Sequence, residues 1–173
     1  GGNGGPGIIG FSFIIPTYIN QQYIDKKTQN NKWPITLSES VTISEDIILD
    51  NNDQYFIIGE NGILFEGGNY KITISNCDEY PGLIQNGNYK IENDNSINVF
   101  KNSHSSIIIE NINLTSNSSS LANNAGWLVQ GYSYYQSNNN LIKNCIISGD
   151  ICQNSNYNNG GIIGSYCVNQ GTE

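Results

Sequence analysis

The fold turns on residues 55–77, which read YFIIGENGILFEGGNYKITISNC. Three short apolar runs, at 55–58, 63–65 and 70–74, are separated by Gly-Glu-Asn-Gly and Glu-Gly-Gly-Asn. In the last run Tyr70, Ile72 and Ile74 share one parity, while Lys71, Thr73 and Ser75 share the other. That is the period-two alternation of a strand with one buried face. Each run is too short for a helix, and the Gly and Asn residues between them supply the positive φ that tight corners need. Strand and corner alternate, so the stretch reads as one coil of an all-β chain, a right-handed parallel β-helix (a solenoid).

Echoes of this stretch extend in both directions. GNYKI occurs at 68–72 and again at 87–91, as successive coils or as two faces of one coil. A strand closing on Asn recurs as ITISN, YKIEN, IIIEN and LIKN, placing Asn76, Asn93, Asn111 and Asn144 as structural corner residues at intervals of 17, 18 and 33. Asn tolerates the left-handed region better than any residue but Gly, and stacked amides can hydrogen-bond along a ladder. Asn76, Asn111 and Asn144 are therefore expected in register at one corner, with Ile72, Ile74, Ile107, Ile109 and Ile142 inside. A second family of echoes, GLIQNG, GWLVQG and GGIIG, begins at Gly82, Gly126 and Gly160. Imperfect recurrence of this kind is the signature of stacked repeats.

Upstream, residues 1–10 (GGNGGPGIIG) place Gly at every third position, as a collagen-type tract requires, or form a Gly-rich lead-in. Residues 11–36 read as a neck or N-terminal cap. Within them Tyr18 to Asn30 has helical spacing, and Trp33-Pro34 ends the segment. A collagen-type tract demands three chains, so the expected partner is the chain itself, as a homotrimer. Ile8, Ile9, Phe11, Phe13, Ile14 and Ile15 would then pack at the three-fold axis; folding back over the first coil is the competing outcome. Residues 37–173 make up the β-helix. The chain begins with Gly and holds no Met, which reads as an excerpt whose coils continue beyond it.

Composition narrows the function. The formal charge is −8, all seven basic residues are lysines, and about one residue in six is Asn. No cationic footprint for phosphate exists, which argues against nucleic acid and anionic membranes as partners. No apolar run approaches the ~20 residues of a membrane span. Polar stretches at 116–124, 132–140 and 153–159 read as loops leaving the coils, the place for any binding specificity.

Candidate chemistry is sparse. Asp50-Asn51-Asn52-Asp53 offers oxygen ligands to calcium but lacks EF-hand spacing and reads as a solvated turn. Glu60 and Glu66 flank the central strand and could share a face as a hydrolytic pair, or serve as corner residues. His104, the single histidine, has no Ser/His/Asp spacing and reads as an exposed turn residue. Cys77 and Cys145 directly follow a corner Asn, where Ile112 sits in another copy, and read as small buried apolar residues. Cys145 with Cys152, Cys152 with Cys167, or free thiols throughout are the open alternatives. Asn113 and Asn117 match the N-glycosylation pattern, at the level chance allows. No catalytic residue, metal ligand or cofactor is assigned. Tyr132, Tyr134 and Tyr135 are the candidate glycan contacts, because aromatic rings can stack on sugar rings.

The segments KWPIT (32–36), YFIIG (55–59) and YPGLIQNG (80–87), followed by NCIISGDI and GGIIGSYC, resemble repeat-containing proteins of giant viruses of the mimivirus group. In those proteins similar segments accompany collagen-like tracts. GGIIGSY also resembles a degenerate GLUG-type repeat of surface adhesins. The likeness spans roughly residues 32–167. It implies a virion-surface or extracellular protein with no catalytic residues to carry over. The expected function is a structural or adhesive module, a β-helix head on a collagen-like fibre, with host-surface glycan as a further partner. The alternative is a tailspike-like β-helix that binds or cleaves polysaccharide.

Overall fold

The computed structural model describes residues 16–91, 97–101, 103–134, 137–148, 159–165 and 167. Its first elements are a strand, β1 (Thr17–Ile19), and a helix, α1 (Gln21–Gln29). Asn20 caps α1, its Oδ1 accepting from the Tyr23 amide at 2.9 Å, while Lys26 and Lys27 sit in the last turn, where the helix dipole favours cations. Asn31, at φ 52°, turns the chain away. The helix is shorter than the spacing of Tyr18 to Asn30 suggests, because residues 17–19 are drawn into a sheet by pairing with Val41–Ile43.

From there the chain lays down strands in a repeating order. The first set is β2 (Ile35–Leu37), β3 (Val41–Ile43) and β4 (Ile47–Leu49), and the second is β5 (Phe56–Ile58), β6 (Leu64–Glu66) and β7 (Lys71–Ser75). Next come β8 (Ile84–Asn86), the pair β9 (Asn88–Ile91) and β10 (Ile97–Lys101), then β11 (Ile108–Glu110), β12 (Asn113–Asn117), β13 (Leu141–Lys143) and β14 (Ile146–Ser148). Three sheets collect them: β2-β5-β8, β1-β3-β6-β11-β13 and β4-β7-β12-β14. Every ladder within these three is parallel. From β2 to β8 consecutive strands thus visit the three sheets in turn, β9 and β10 stand outside them, and β13 follows β12 with no described strand of the first sheet between. Where β2-β5-β8 would continue, parallel bridges join Ile84 to Val129 and Val129 to Ile163. The second family of glycine echoes marks those stacked positions.

Residues 55–77 deliver one strand to each sheet, as their alternation predicts. One expectation needs correction. Gly87 and its GNYKI copy lead into β9, which pairs antiparallel with β10 outside the three sheets. The repeated pentapeptide therefore marks neither the next strand of the same sheet nor a second sheet of the stack. Residues 17–36, expected as a neck or N-terminal cap, supply β1, which pairs with β3, and α1, and β2 spans the boundary drawn after residue 36.

Side chains of like position stack into columns. Ile35, Phe56 and Ile84 align in one sheet, Phe65, Ile109 and Ile142 in the next, and Ile47, Ile72, Leu114 and Ile147 in the third. Ile72, Ile74, Ile107 and Ile109 are fully buried, whereas Ile142 only packs against the core from its edge. Tyr70, assigned to the buried parity, is exposed, because the strand starts one residue later, at Lys71. Trp33, Phe56 and Phe65 meet edge to face at centroid separations of 5.6 and 5.2 Å. Each fully buried Ile, Leu or Phe contributes roughly 1.5–3 kcal/mol. Long-range stacking, rather than local propensity, therefore stabilises three-residue strands.

Candidate functional site

The corners carry most of the polar chemistry. Asn76, Asn111 and Asn144 all take the left-handed conformation, at φ 55°, 56° and 53°. They do not share one corner. Asn111 and Asn144 follow the aligned residues Glu110 and Lys143, and the Asn144 amide donates to Asn111 Oδ1 at 3.3 Å. Asn76 follows β7 in a different sheet, and its counterpart is Ser118, at φ 50°. The shared motif, strand then Asn, marks two different corners because tight left-handed turns follow strands of more than one sheet. Asn93 lies outside the described residues.

A third left-handed column escaped the sequence reading. Gly62, Ser106 and Asn139, at φ 72°, 61° and 57°, each stand two residues before the aligned Leu64, Ile108 and Leu141. Only the last is an Asn within the run that precedes LIKN, so a search for Asn after strands passes over it. Side chains lock this corner: Asn61 Oδ1 accepts from the Ser105 amide at 2.8 Å, and Asn140 Oδ1 from the Ile107 amide at 3.0 Å. Buried Asn86 exchanges two hydrogen bonds with the backbone of His104, at 2.8 and 2.9 Å. His104 is half-buried there, rather than an exposed turn residue.

The carboxylates nominated from sequence are engaged in this framework. Glu66 accepts from the Gly68 amide at 2.6 Å and from Asn111 Nδ2 at 3.0 and 3.1 Å, while Glu60 is an exposed corner residue. Glu110, aligned with Glu66, pairs with Lys143 Nζ at 2.6 Å. The Asp50–Asp53 segment is a turn around Gln54, whose Oε1 accepts from the amides of Asp50 and Asn51 at 2.6 and 3.1 Å. Among the described residues, no three His, Cys, Asp or Glu side chains converge to hold a metal ion.

Cys77 and Cys167 are buried free thiols, and burial pushes each pKa up to about 11. Cys145, a half-buried free thiol, is also shifted upward by burial. It takes the place of Ile112 at the Asn111 corner, whereas Cys77 sits at the other corner, its amide donating to Ser119 Oγ at 3.0 Å. Cys152 lies outside the described residues.

Two concave features remain. A groove of about 780 Å³ runs between α1 and the β4-β7 edge, lined by Gln21, Asp25, Asp46, Ile48, Asp50 and Lys71 among others. Asp46 accepts from the Lys71 amide at 2.8 Å and Asp25 from Gln21 Nε2 at 2.9 Å, so two of its three acids are fixed in place. No local spacing signals this groove, because Asp25 belongs to the helix and Asp46 to the turn before β4. The second feature, of about 350 Å³, lies by the polar loop before β13 and takes Tyr134 into its wall. Of the other candidate glycan contacts, Tyr132 turns at φ 64° with its amide on Ser165 O, and Tyr135 lies outside the described residues.

Comparison with protein-family models, curated proteins and solved structures returned no match.

Proposed function

We propose that the chain is a right-handed parallel β-helix and that it works as a stiff structural or adhesive module. In this reading it is displayed at a virion or extracellular surface, as the head of a collagen-like fibre. The observation that carries the proposal is the order of the strands, which visit three parallel sheets in turn while hydrogen-bonded left-handed residues column at the corners. Such a body resists bending, because each coil is held to the next by backbone ladders, a continuous apolar interior and corner amides together. The Asn-rich exterior offers amides for lateral contacts, and the formal charge of −8 makes that packing depend on screening by salt. Residues 1–10 would supply the collagen-type tract and three copies of this chain the fibre.

The test is sedimentation and small-angle scattering on the full chain and on a chain lacking residues 1–15, which keeps the β1–α1 cover. Three rod-like bodies becoming one on deletion is the expected outcome. A monomer in both forms removes the fibre reading, and a spherical profile removes the rod. A second reading, binding or cleavage of polysaccharide, draws on the groove beside α1 with Asp25, Asp46 and Asp50 in its wall. Incubation with neutral and acidic polysaccharides decides it. Released oligosaccharide that vanishes in Asp25→Asn or Asp50→Asn would replace the structural reading with a hydrolase.

A further inference from the structure

The cavity beside Tyr134 is lined by two kinds of surface. Ile142 and Ile163 present apolar carbon, and Cys167 closes one side with a buried thiol that donates to Gln130 O at 2.9 Å. Tyr134, Ser137, Asn139 and Asn140 supply hydroxyl and amide groups. No charged side chain is among these seven residues.

This composition differs from the interior elsewhere. Along the stack, inward positions are filled by Ile, Leu, Val and Phe, and the buried amides of Gln54, Asn86 and Gln130 have their partners, while Ser133 Oγ, next to Tyr134 in sequence, has none among the described residues. Here the polar wall is built in advance. Asn140 Nδ2 donates to Ser137 Oγ at 2.7 Å, Asn140 Oδ1 accepts from the Ile107 amide, and Ser137 Oγ donates to the His104 carbonyl. Against that fixed wall the Tyr134 hydroxyl is shielded from solvent and has no hydrogen-bond partner among the described residues. A buried hydroxyl left without a partner has lost its hydration with nothing in return, so such groups are normally satisfied. Burial also raises the phenol pKa, which keeps it neutral and able both to donate and to accept.

We infer that this cavity is a binding site for one uncharged sugar ring, with the Tyr134 hydroxyl as the group that recognises a sugar hydroxyl. A pyranose matches the wall by chemistry. Its C–H face suits Ile142 and Ile163, its hydroxyls suit the amide and hydroxyl side, and an ionised sugar would find no countercharge. The volume lies within the range of small-ligand sites. A packed coil edge would not fill the space as well, since it would bury the polar wall along with the apolar one. The inference stands apart from the display reading, which concerns shape and assembly.

The experiment is saturation-transfer NMR and calorimetry on the full chain with methyl glycosides of glucose, galactose, mannose and N-acetylglucosamine. Glucuronate and glucosamine glycosides serve as charged counterparts. At least one neutral glycoside is expected to bind, with affinity falling about tenfold or more in Tyr134→Phe, which removes only the hydroxyl. Asn139→Gly, which suits the left-handed backbone there, should also weaken binding, and it keeps the test alive if the Phe variant misfolds. Tyr18→Phe, exposed on β1 and outside the lining, should bind as the parent does. Absence of binding by every neutral glycoside overturns the inference. Equal affinity in Tyr134→Phe and in Asn139→Gly, or tighter binding of a charged glycoside, overturns it as well.

Discussion

The two ends of the strand stack obey the same sequence pattern and reach different burial. At the N-terminal end β1 adds a strand beyond β3, and α1 places Ile24 on the interior and Gln21 on the edge of β4. The Gln21 side chain mimics a neighbouring strand: its Oε1 accepts from the Ile48 amide at 2.8 Å, and its Nε2 donates to the Ile48 carbonyl at 3.4 Å. Thr28 of the same helix accepts from Gln54 Nε2 at 2.9 Å. At the far end Ile142 and Ile147 occupy inward positions but only lean on the core. Alternation in a sequence identifies a strand. Whether its inner face is covered depends on the next element over, which the alternation does not encode.

The largest effect that separates the ends is core truncation. Phe56→Ala should cost about 3–5 kcal/mol, whereas Ile142→Ala, at a half-covered position, should cost about 1–2 kcal/mol. Urea unfolding of both variants reads the difference. Equal costs would mean that the far end is covered as well as the near one. Next is the cover itself: Gln21→Ala removes both bonds to the edge of β4 and should cost about 1–2 kcal/mol. It should also speed hydrogen exchange at the Ile48 amide without affecting the Leu114 amide. Unchanged exchange at Ile48 would show that α1 does not guard that edge.

Strands and corners were legible because they are local. Residues 55–77 carry their own alternation, and Gly62, Gly68 and Asn76 announce their turns by conformational tolerance. The glycine echoes at Gly82, Gly126 and Gly160 were legible for a steric reason. A Cβ at Gly82 would meet the Gly126 carbonyl oxygen at 2.4 Å, and one at Gly126 the Gly164 amide nitrogen at 2.5 Å, so close stacking demands Gly in each coil. What was not legible depends on three-dimensional neighbours. The motif strand-Asn does not say which corner it turns, so Asn76 and Asn111 looked alike. GNYKI does not say whether its strand joins the stack, and the second copy pairs with β10 instead. Nothing in the spacing of Asp25, Asp46 and Lys71 shows that they meet in one groove. Tyr134 was named for its ring, and the structure adds that its hydroxyl is the group in need of a partner.

The thiols give a chemical version of the same comparison. Cys77 lies buried among covered strands and half-buried Cys145 near the far end. Burial raises both above the ordinary thiol value of 9.0, Cys77 to about 11. A folded-state pKa above the unfolded one favours the protonated form in the fold. That stabilisation is complete below pH 9 and is lost as pH rises through about 11. Unfolding free energy should therefore decline over that window, and Cys77→Ala with Cys167→Ala should flatten the decline. In a Cys152→Ser background at pH 8, iodoacetamide should modify Cys145 before Cys77. Equal rates would indicate that the covered coils open as readily as the far end.

The smallest effects lie at the corner where Asn111 and Asn144 stack, and they separate backbone strain from hydrogen bonding. Both residues are left-handed, so replacement by Ala forces a Cβ into that region at a cost of roughly 1–2 kcal/mol, and replacement by Gly does not. The difference between Ala and Gly should thus be the same at both positions. The Gly variants themselves should differ. Asn111→Gly removes the two contacts that tie Nδ2 to the Glu66 carboxylate, along with the acceptor for Asn144, and should cost about 1–2 kcal/mol. Asn144→Gly removes a single long bond near the exposed end and should fall within about 0.5 kcal/mol of the parent. Thermal unfolding of the four variants measures all of these terms in one set. If Asn144→Gly destabilises as much as Asn111→Gly, the column is cooperative along its length and the far end is held as tightly as the middle. If Ala and Gly behave alike at either position, the left-handed corner has relaxed, and hydrogen bonding alone accounts for the asparagine.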